Sequence, residues 1–445
     1  MEPKLTLDTE KPTNVRWQIF VLACFSSWLL YLHRYTFALI KPALVEEWKL
    51  GKDALGLLDG AFFLPYTLFQ IPLGIATTAW GVHLMLSLML ISGAIGLAMH
   101  AWATDSQSLA AARGLLGFGQ SAVFAALNQI TRNWFPLSVR TTVQGWLGVF
   151  FGRFGGLSAN LLVGSVMLGM LGLSWRTTVV VLALVGLVHA AFFIGLFRNS
   201  PRQHPRVNQA EAELIESQDG PQAANKRPPT FRELFRQLRP RTLFNLLMLN
   251  IQTILSTLAD TIFSAWIPLF LWEVHQLKFE AMGFYAALPL LGGALGGAFG
   301  GWLNDRLIAQ TGRRRWSRVA VGGAGKGIAA GLLVTSLLWF DQPRTFCLLL
   351  FVVKFFSDWS LVTTWGCVTD MSGRASATVF AYNNTVAGIG SIVGPPLYGT
   401  IAESAGWTPV FVAGAITYLA CALSWLMINS ELSLEEQPRA ESVSM

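Results

Sequence analysis

The stretch Trp28-Leu-Leu-Tyr-Leu-His-Arg-Tyr-Thr-Phe-Ala-Leu-Ile-Lys-Pro42 decides how this chain is read. It sets His33 and Arg34 deep inside the first long apolar run. A charged side chain at bilayer depth costs about 2.5–3.5 kcal/mol on insertion scales. It persists where it faces a watery cavity or a partner, and arginine offers a planar fork matched to carboxylate or phosphate. The expectation is an anion-binding arginine in a transport pathway. The bland alternative is a snorkelling or structurally paired side chain.

Composition supports the membrane setting. Of 445 residues, 53% are hydrophobic and 13% charged, and the mean hydropathy is +0.48. That is too apolar for a soluble globular chain and too poor in charge for a disordered one. Long apolar runs recur throughout, so the fold class is an all-α, multi-pass membrane protein with the lipid bilayer as partner. The net charge of +7 does not imply nucleic acid, because the basic residues sit between apolar runs. Positive-inside bias explains them. Cys24, Cys347, Cys367 and Cys421 fall within predicted spans without metal-ligand spacing, so no metal, cofactor or disulfide is expected. The polar N-terminus precedes the first span without a small-residue cleavage site, and that span is expected to be retained.

Twelve spans are expected. The first six lie near 17–40, 54–79, 83–103, 107–134, 139–168 and 177–197; the second six lie near 243–271, 281–303, 317–339, 345–369, 375–398 and 407–428. This divides the chain into an N-terminal six-helix bundle (1–197), a linker (198–242), a C-terminal bundle (243–428) and a tail (429–445). Lys4, Lys11, Arg16, Arg132, Arg140, the linker, Arg306, Arg313–Arg315, Arg318, Arg374 and Arg439 collect on one side. The other side has chiefly Lys41, Lys49, Lys52, Arg176, Lys278 and Arg344. Both termini and the linker are therefore expected in the cytoplasm, with the protein in the plasma (inner) membrane. The linker reads as a passive tether with short helices at Glu211–Glu216 and at Thr230–Arg236, the second opened by a capping box.

The halves echo each other. Gln70-Ile-Pro-Leu-Gly74 through Trp80-Gly81 closes the second span; Gly300-Gly-Trp-Leu-Asn-Asp305-Arg306 through Gly312-Arg-Arg-Arg315 closes the eighth. Gly155-Gly156 and Gly164 before Trp175 correspond to Gly390, Gly394-Pro-Pro and Gly399 before Trp407. Six-span repeats point to two bundles rocking about a midplane site.

These stretches resemble the major facilitator superfamily, whose loop motif matches Gly301, Asp305-Arg306 and Gly312-Arg313-Arg314. More narrowly, the chain resembles the anion:cation symporter branch, which includes sugar-acid and hexuronate transporters, sialin and vesicular glutamate transporters. The resemblance runs through Tyr31-Leu-His-Arg34, Arg113-Gly-Leu-Leu-Gly117, Asn133-Trp-Phe-Pro136, Arg140, Ser174-Trp-Arg176, Arg198 to Glu211 and Asp370-Met-Ser-Gly-Arg374. It implies two six-helix bundles with pseudo-two-fold symmetry, alternating access, Arg34 as anion anchor and Arg113 as a second arginine for substrate or proton coupling. Family carboxylates precede the first arginine and lie seven residues beyond the second; His33 and Gln120 occupy those positions here. Carboxylate-based proton coupling is thereby weakened, although His33 can titrate.

Other intramembrane polar residues complete the candidate set. Arg153 either lines the cavity or pairs with Asp260. Lys354 and Asp358, one turn apart, are expected to neutralise each other, with gating or coupling as the alternative. Asn383 and Asn384 suit hydroxyl recognition or an interhelical bond. Tyr31 and Tyr35 offer sugar contacts. Asp305 with Arg306 is expected to lock the cytoplasmic side, whereas Thr78-Ala79 stands where the first half would repeat that motif. Lys326, mid-span among glycines, has no sequence account.

The leading expectation is a monomeric transporter of a small organic anion such as a sugar acid, with protons or a counter-anion as co-substrate. A sugar-phosphate/phosphate antiporter is the alternative, weakened by Asp260 where such proteins carry a seventh-span arginine. A non-transporting sensor is more distant. An enzyme is not expected, since no nucleophile–base or metal constellation emerges.

Overall fold

The computed structural model describes residues 11–216, 240–372 and 376–434, and every regular element among them is helical. The Thr230–Arg236 capping box, Lys4, Arg374 and Arg439 lie outside the described residues. Helix α1 is Val15–Trp48, and α2 is Lys52–Leu68 followed by Gln70–Trp80 across a 44° bend. The first bundle continues with α3 (Val82–Trp102), α4 (Ser106–Trp134), α5 (Ser138–Met170) and α6 (Trp175–Leu196). The second contains α7 (Pro240–His275), α8 (Phe279–Thr311), α9 (Arg314–Trp339), α10 (Pro343–Ser372), α11 (Ser376–Ala405) and α12 (Trp407–Trp425). Ten of these are long and apolar enough to cross a bilayer, and bent α2 makes eleven. The twelfth, α11, is long enough but more polar, carrying Asn383, Asn384, Pro395 and Pro396.

The first span runs well past its expected end at 40. Lys41 and Pro42 sit inside α1, which stops at Lys49 in the left-handed region (φ 54°). Lys41 does not end the helix because Asp59 neutralises it at 2.6 Å. Large apolar side chains remain exposed along the helices, as lipid-facing positions should be, and Trp80 and Trp102 stand exposed at helix ends where an interfacial belt belongs.

Helix starts follow ordinary capping chemistry. Asp105 accepts from the Ser108 backbone N–H at 2.8 Å at the start of α4, a bond that holds its carboxyl below the usual range. The start of α1 is capped from the linker instead. A short helix, Gln209–Glu216, presents buried Glu211 to the backbone N–H groups of Val15 and Arg16, each at 3.1 Å, and to the Arg16 guanidinium. Thr13 adds bonds to Glu211 and Asn208. The early linker is thus docked, unlike the passive tether expected: four orphan donors begin every helix, and a carboxylate is a favourable partner for them.

The bundles meet closely at the face opposite the termini. Lys52 reaches Glu273 at 2.8 Å and Glu403 at 3.6 Å; the Ser165 hydroxyl donates to the Glu280 carbonyl at 2.7 Å. Nearer the termini, Asn384 and Thr385 of α11 donate to Gln70 of α2.

In α8 the paired glycines serve backbone approach. A Cβ on Gly292 or Gly296 would overlap the Phe351 or Phe355 carbonyl of α10. Gly296→Ala is therefore expected to destabilise by about 1–3 kcal/mol through overpacking. Gly331→Ala, where nothing lies within 4 Å, should be neutral or slightly stabilising. Thermal unfolding of both variants in detergent checks the contrast; equal midpoints would refute it.

Candidate functional site

A cavity of about 140 Å³ lies between the bundles, walled by α1, α2, α4 and α5 on one side and α7, α8, α10 and α11 on the other. Arg34 enters it from α1. Its guanidinium sits 4.4 Å from the Tyr66 ring centroid, 5.1 Å from Tyr31 and 5.3 Å from Phe62. Buried Gln120 accepts from Arg34 Nε at 3.4 Å while donating to the Leu30 carbonyl. No carboxylate pairs with Arg34 among the described residues, and its buried Nη2 has no hydrogen-bond partner. The aromatic faces attract the cation, Tyr66 adds a side-chain hydrogen bond, and Nη2 is left over. This is a positioned fork with unused hydrogen-bonding capacity.

Arg113 lines the same cavity but is already paired. Its Nη2 lies 2.8 Å from Asp59 Oδ1, and its Nε donates to the Leu58 carbonyl at 3.1 Å. Asp59 also takes Lys41 at 2.6 Å, and Lys41 crosses to the second bundle to donate to the Ala265 carbonyl at 2.8 Å. Ala265 belongs to a π-helical turn, Ile262–Trp266, a local departure from α-helical register of the kind that recurs at functional sites. Trp266 places its ring 3.7 Å from the Lys41 ammonium.

The opposite wall carries a second network. Asp260 Oδ1 accepts from Lys354 at 2.8 Å and Tyr418 at 2.7 Å, with Lys326 at 4.0 Å. Lys354 also holds Asp358 at 2.7 Å, the one-turn pair expected. Arg153 lines the cavity, and its partner is Asp358 at 2.5 Å rather than Asp260. Lys354 bridges the two carboxylates, holding Oδ1 of each, and Arg153 meets the second oxygen of Asp358. Arg153 and Asp358 touch by distance, yet Asp358 Oδ2 makes no aligned hydrogen bond. Lys326 is accounted for by Asp260 and by Ser357, 3.3 Å away.

Other candidates stand apart. His33 is buried against α6, its Nε2 3.1 Å from the Leu182 carbonyl, and does not line the cavity. Asn383 donates to Thr253 and Asn384 to Gln70, which are the interhelical bonds rather than cavity contacts. Asp305 and Arg306 are exposed near the end of α8, without an ion pair among the described residues; Arg306 lies over the Trp302 ring. Sequence reading overlooked Asp59, although an acidic residue inside the apolar Leu57-Leu-Asp-Gly-Ala-Phe-Phe63 run is itself a signal.

The charge balance is one-sided. Arg34, Lys41, Arg113, Arg153, Lys326 and Lys354 are set against Asp59, Asp260 and Asp358, at or ion-paired to the cavity. At low dielectric this excess attracts an anion strongly.

The profile of the Major Facilitator Superfamily matches residues 23–339 and 249–443. A protein of Cupriavidus necator named "Probable sulfoacetate transporter" is 26% identical, over 95% of this chain and 96% of its own. The hexuronate transporter of Escherichia coli K12 is 24% identical, over 96% of each. Among solved structures, a bacterial homologue of the human lysosomal transporter Spinster, inward-facing and unoccupied, superposes with a TM-score of 0.73. It is 17% identical, covering 93% of this chain and 95% of that one, and bears on the fold alone.

Asp59 neutralises two buried cations, so Asp59→Asn should lower stability by about 3–5 kcal/mol. Adding Lys41→Met should recover part of the loss by removing one stranded charge. Thermal unfolding of the single and double variants gives the test; additive losses would show that the pair does not act as a unit.

Proposed function

Because this chain belongs to the Major Facilitator Superfamily and is most like its anion:cation symporter branch, we propose that it moves a sugar acid or other small carboxylate by alternating access, with Arg34 as the anchor. The observation that carries this reading is the Arg34 guanidinium, caged by aromatic rings at the cavity with Nη2 unpartnered. The names of the relatives, a sulfoacetate and a hexuronate transporter, support an organic acid as cargo. Tyr31, Tyr35, Arg113 and Arg153 contribute further cavity contacts.

With the termini in the cytoplasm of a plasma membrane, as the basic residues favour, the closed face is the outer one. Opening it requires Lys52 to leave Glu273 and Glu403, and Lys41 to leave Ala265. Asp305 and Arg306 then engage as the termini face closes, consistent with their freedom from ion pairs among the described residues in this conformation.

Accumulating a monoanion against an inside-negative potential costs about 2.3 kcal/mol per 100 mV. His33 points away from the cavity and Gln120 cannot titrate, so proton symport lacks the branch's carboxylates. Exchange or facilitated movement is the favoured mode, because Asp260 is itself held by Lys354 and Tyr418. In liposomes the protein should support counterflow without a proton gradient; strict dependence on such a gradient would reject this mode.

Arg34→Ala should abolish stabilisation by substrate while the protein still inserts. Arg34→Lys should rescue poorly, because an ammonium lacks the bidentate fork. The readout is the ligand-induced rise in melting temperature, which follows mass action. Full stabilisation of Arg34→Ala would remove the anchor.

A further inference from the structure

Two guanidiniums, not one, address the cavity. Arg34 enters from α1 and Arg153 from α5, and both line it. Tyr31 and Tyr35 lie between α1 and α5: a Cβ on Gly152 or Gly156 would press on the Tyr31 or Tyr35 ring. The two rings are 6.3 Å apart, and each tyrosine is within electrostatic range of both guanidiniums. The second cation is therefore on the same wall as the first, with a pair of aromatic rings spanning the gap.

The two arginines differ in how far they are satisfied. Arg34 has no carboxylate among the described residues. Arg153 has Asp358, but across the bundle interface and without an aligned hydrogen bond, while Lys354 already holds the other Asp358 oxygen at 2.7 Å. Arg153 can thus leave Asp358 for a ligand without stranding that carboxylate. Its side chain is 25% exposed against 1% for Asp358, so the guanidinium is the member of the pair that a ligand can reach.

Resting on the reading of the cavity as an anion site, we propose that the substrate is a compact dianion, one acidic group taken by Arg34 and the other by Arg153. The charge excess favours this over a single acid. Six basic side chains face three carboxylates, and a monoanion leaves more of that excess unneutralised than a dianion does. Size favours a short spacer: about 140 Å³ is below the ~300–1,000 Å³ usual for small-molecule sites. A two- or three-carbon skeleton with terminal carboxylate, sulfonate or similar groups matches both limits.

The test uses the purified full chain, by thermal shift and by counterflow in liposomes, with acetate and gluconate as monoanions. Malonate and sulfoacetate serve as compact dianions and galactarate as a long one, all at equal ionic strength. Malonate or sulfoacetate should bind at least about tenfold more tightly than acetate or gluconate, a difference two charge-assisted contacts readily supply. In Arg153→Gln that ratio should fall toward unity, and Arg153→Lys should keep part of it. Gluconate binding as tightly as malonate would overturn the dianion assignment while leaving the Arg34 anchor standing. A preference unchanged in Arg153→Gln would overturn the role of Arg153, and galactarate binding best would overturn the size assignment. Failure of every organic anion to stabilise the wild-type protein would sink the anion-transport reading and this inference together.

Discussion

Arg34 sits at a cavity in the middle of an apolar molecule with no carboxylate beside it among the described residues, and the surrounding architecture answers to that charge. Removing an ion from water costs several kcal/mol even after relaxation. Part of that is offset here by π faces from Tyr66, Tyr31 and Phe62, and part by the Gln120 carbonyl oxygen. None of these neutralises the guanidinium. Aromatic rings and an amide hold its position while leaving its charge available, which is what a binding anchor needs and a structural ion pair does not.

The remaining cations are treated differently, and their partners tie the bundles together. Lys41 belongs to the first bundle, yet one of its bonds goes to the Ala265 carbonyl in the second. Arg153 likewise reaches across to Asp358. In each case the partner within one bundle stays put: Asp59 keeps Arg113, and Asp358 keeps Lys354. Either crossing contact can therefore break without leaving a bare buried carboxylate. That is the property required of contacts exchanged when packed bodies switch between discrete arrangements. The Lys41 contact falls on a carbonyl within the π-helical turn of α7.

The spans, the repeat and Arg34 were legible because they are local patterns: apolar runs of membrane length and a charge out of place. The Lys354–Asp358 pair was legible for the same reason, its partners being one turn apart. His33 stands off the cavity, and helix geometry held that answer. Successive residues are about 100° apart around a helix, so Tyr31, Arg34, Tyr35 and Ala38 share a face that His33 does not. The Asp59 cluster was hidden because its partners, Lys41 and Arg113, lie on two other helices. Nothing in the sequence fixes which helices are neighbours across a bundle. Arg153 shows the same limit: its burial was readable, but its partner Asp358 lies on a helix of the other bundle.

The positive excess also bears on how such a carrier cycles. An occluded intermediate seals the cavity from water on both sides, and the charges inside must then be balanced by what the cavity contains. On the proposed reading, a bound anion gives Arg34 a partner and the sealed state loses much of its electrostatic cost. When the cavity is empty, the same guanidinium would be sealed in with π faces, a tyrosine hydroxyl and an amide but no counter-charge, and water could no longer screen it. On the exchange reading, the loaded carrier therefore crosses more readily than the empty one. A substrate released on one side would have to be replaced before the bundles rock back, which couples one anion's exit to another's entry without any titrating carboxylate. The feature that makes proton symport hard to build here, the scarcity of cavity carboxylates not already claimed by cations, is then the feature that favours exchange.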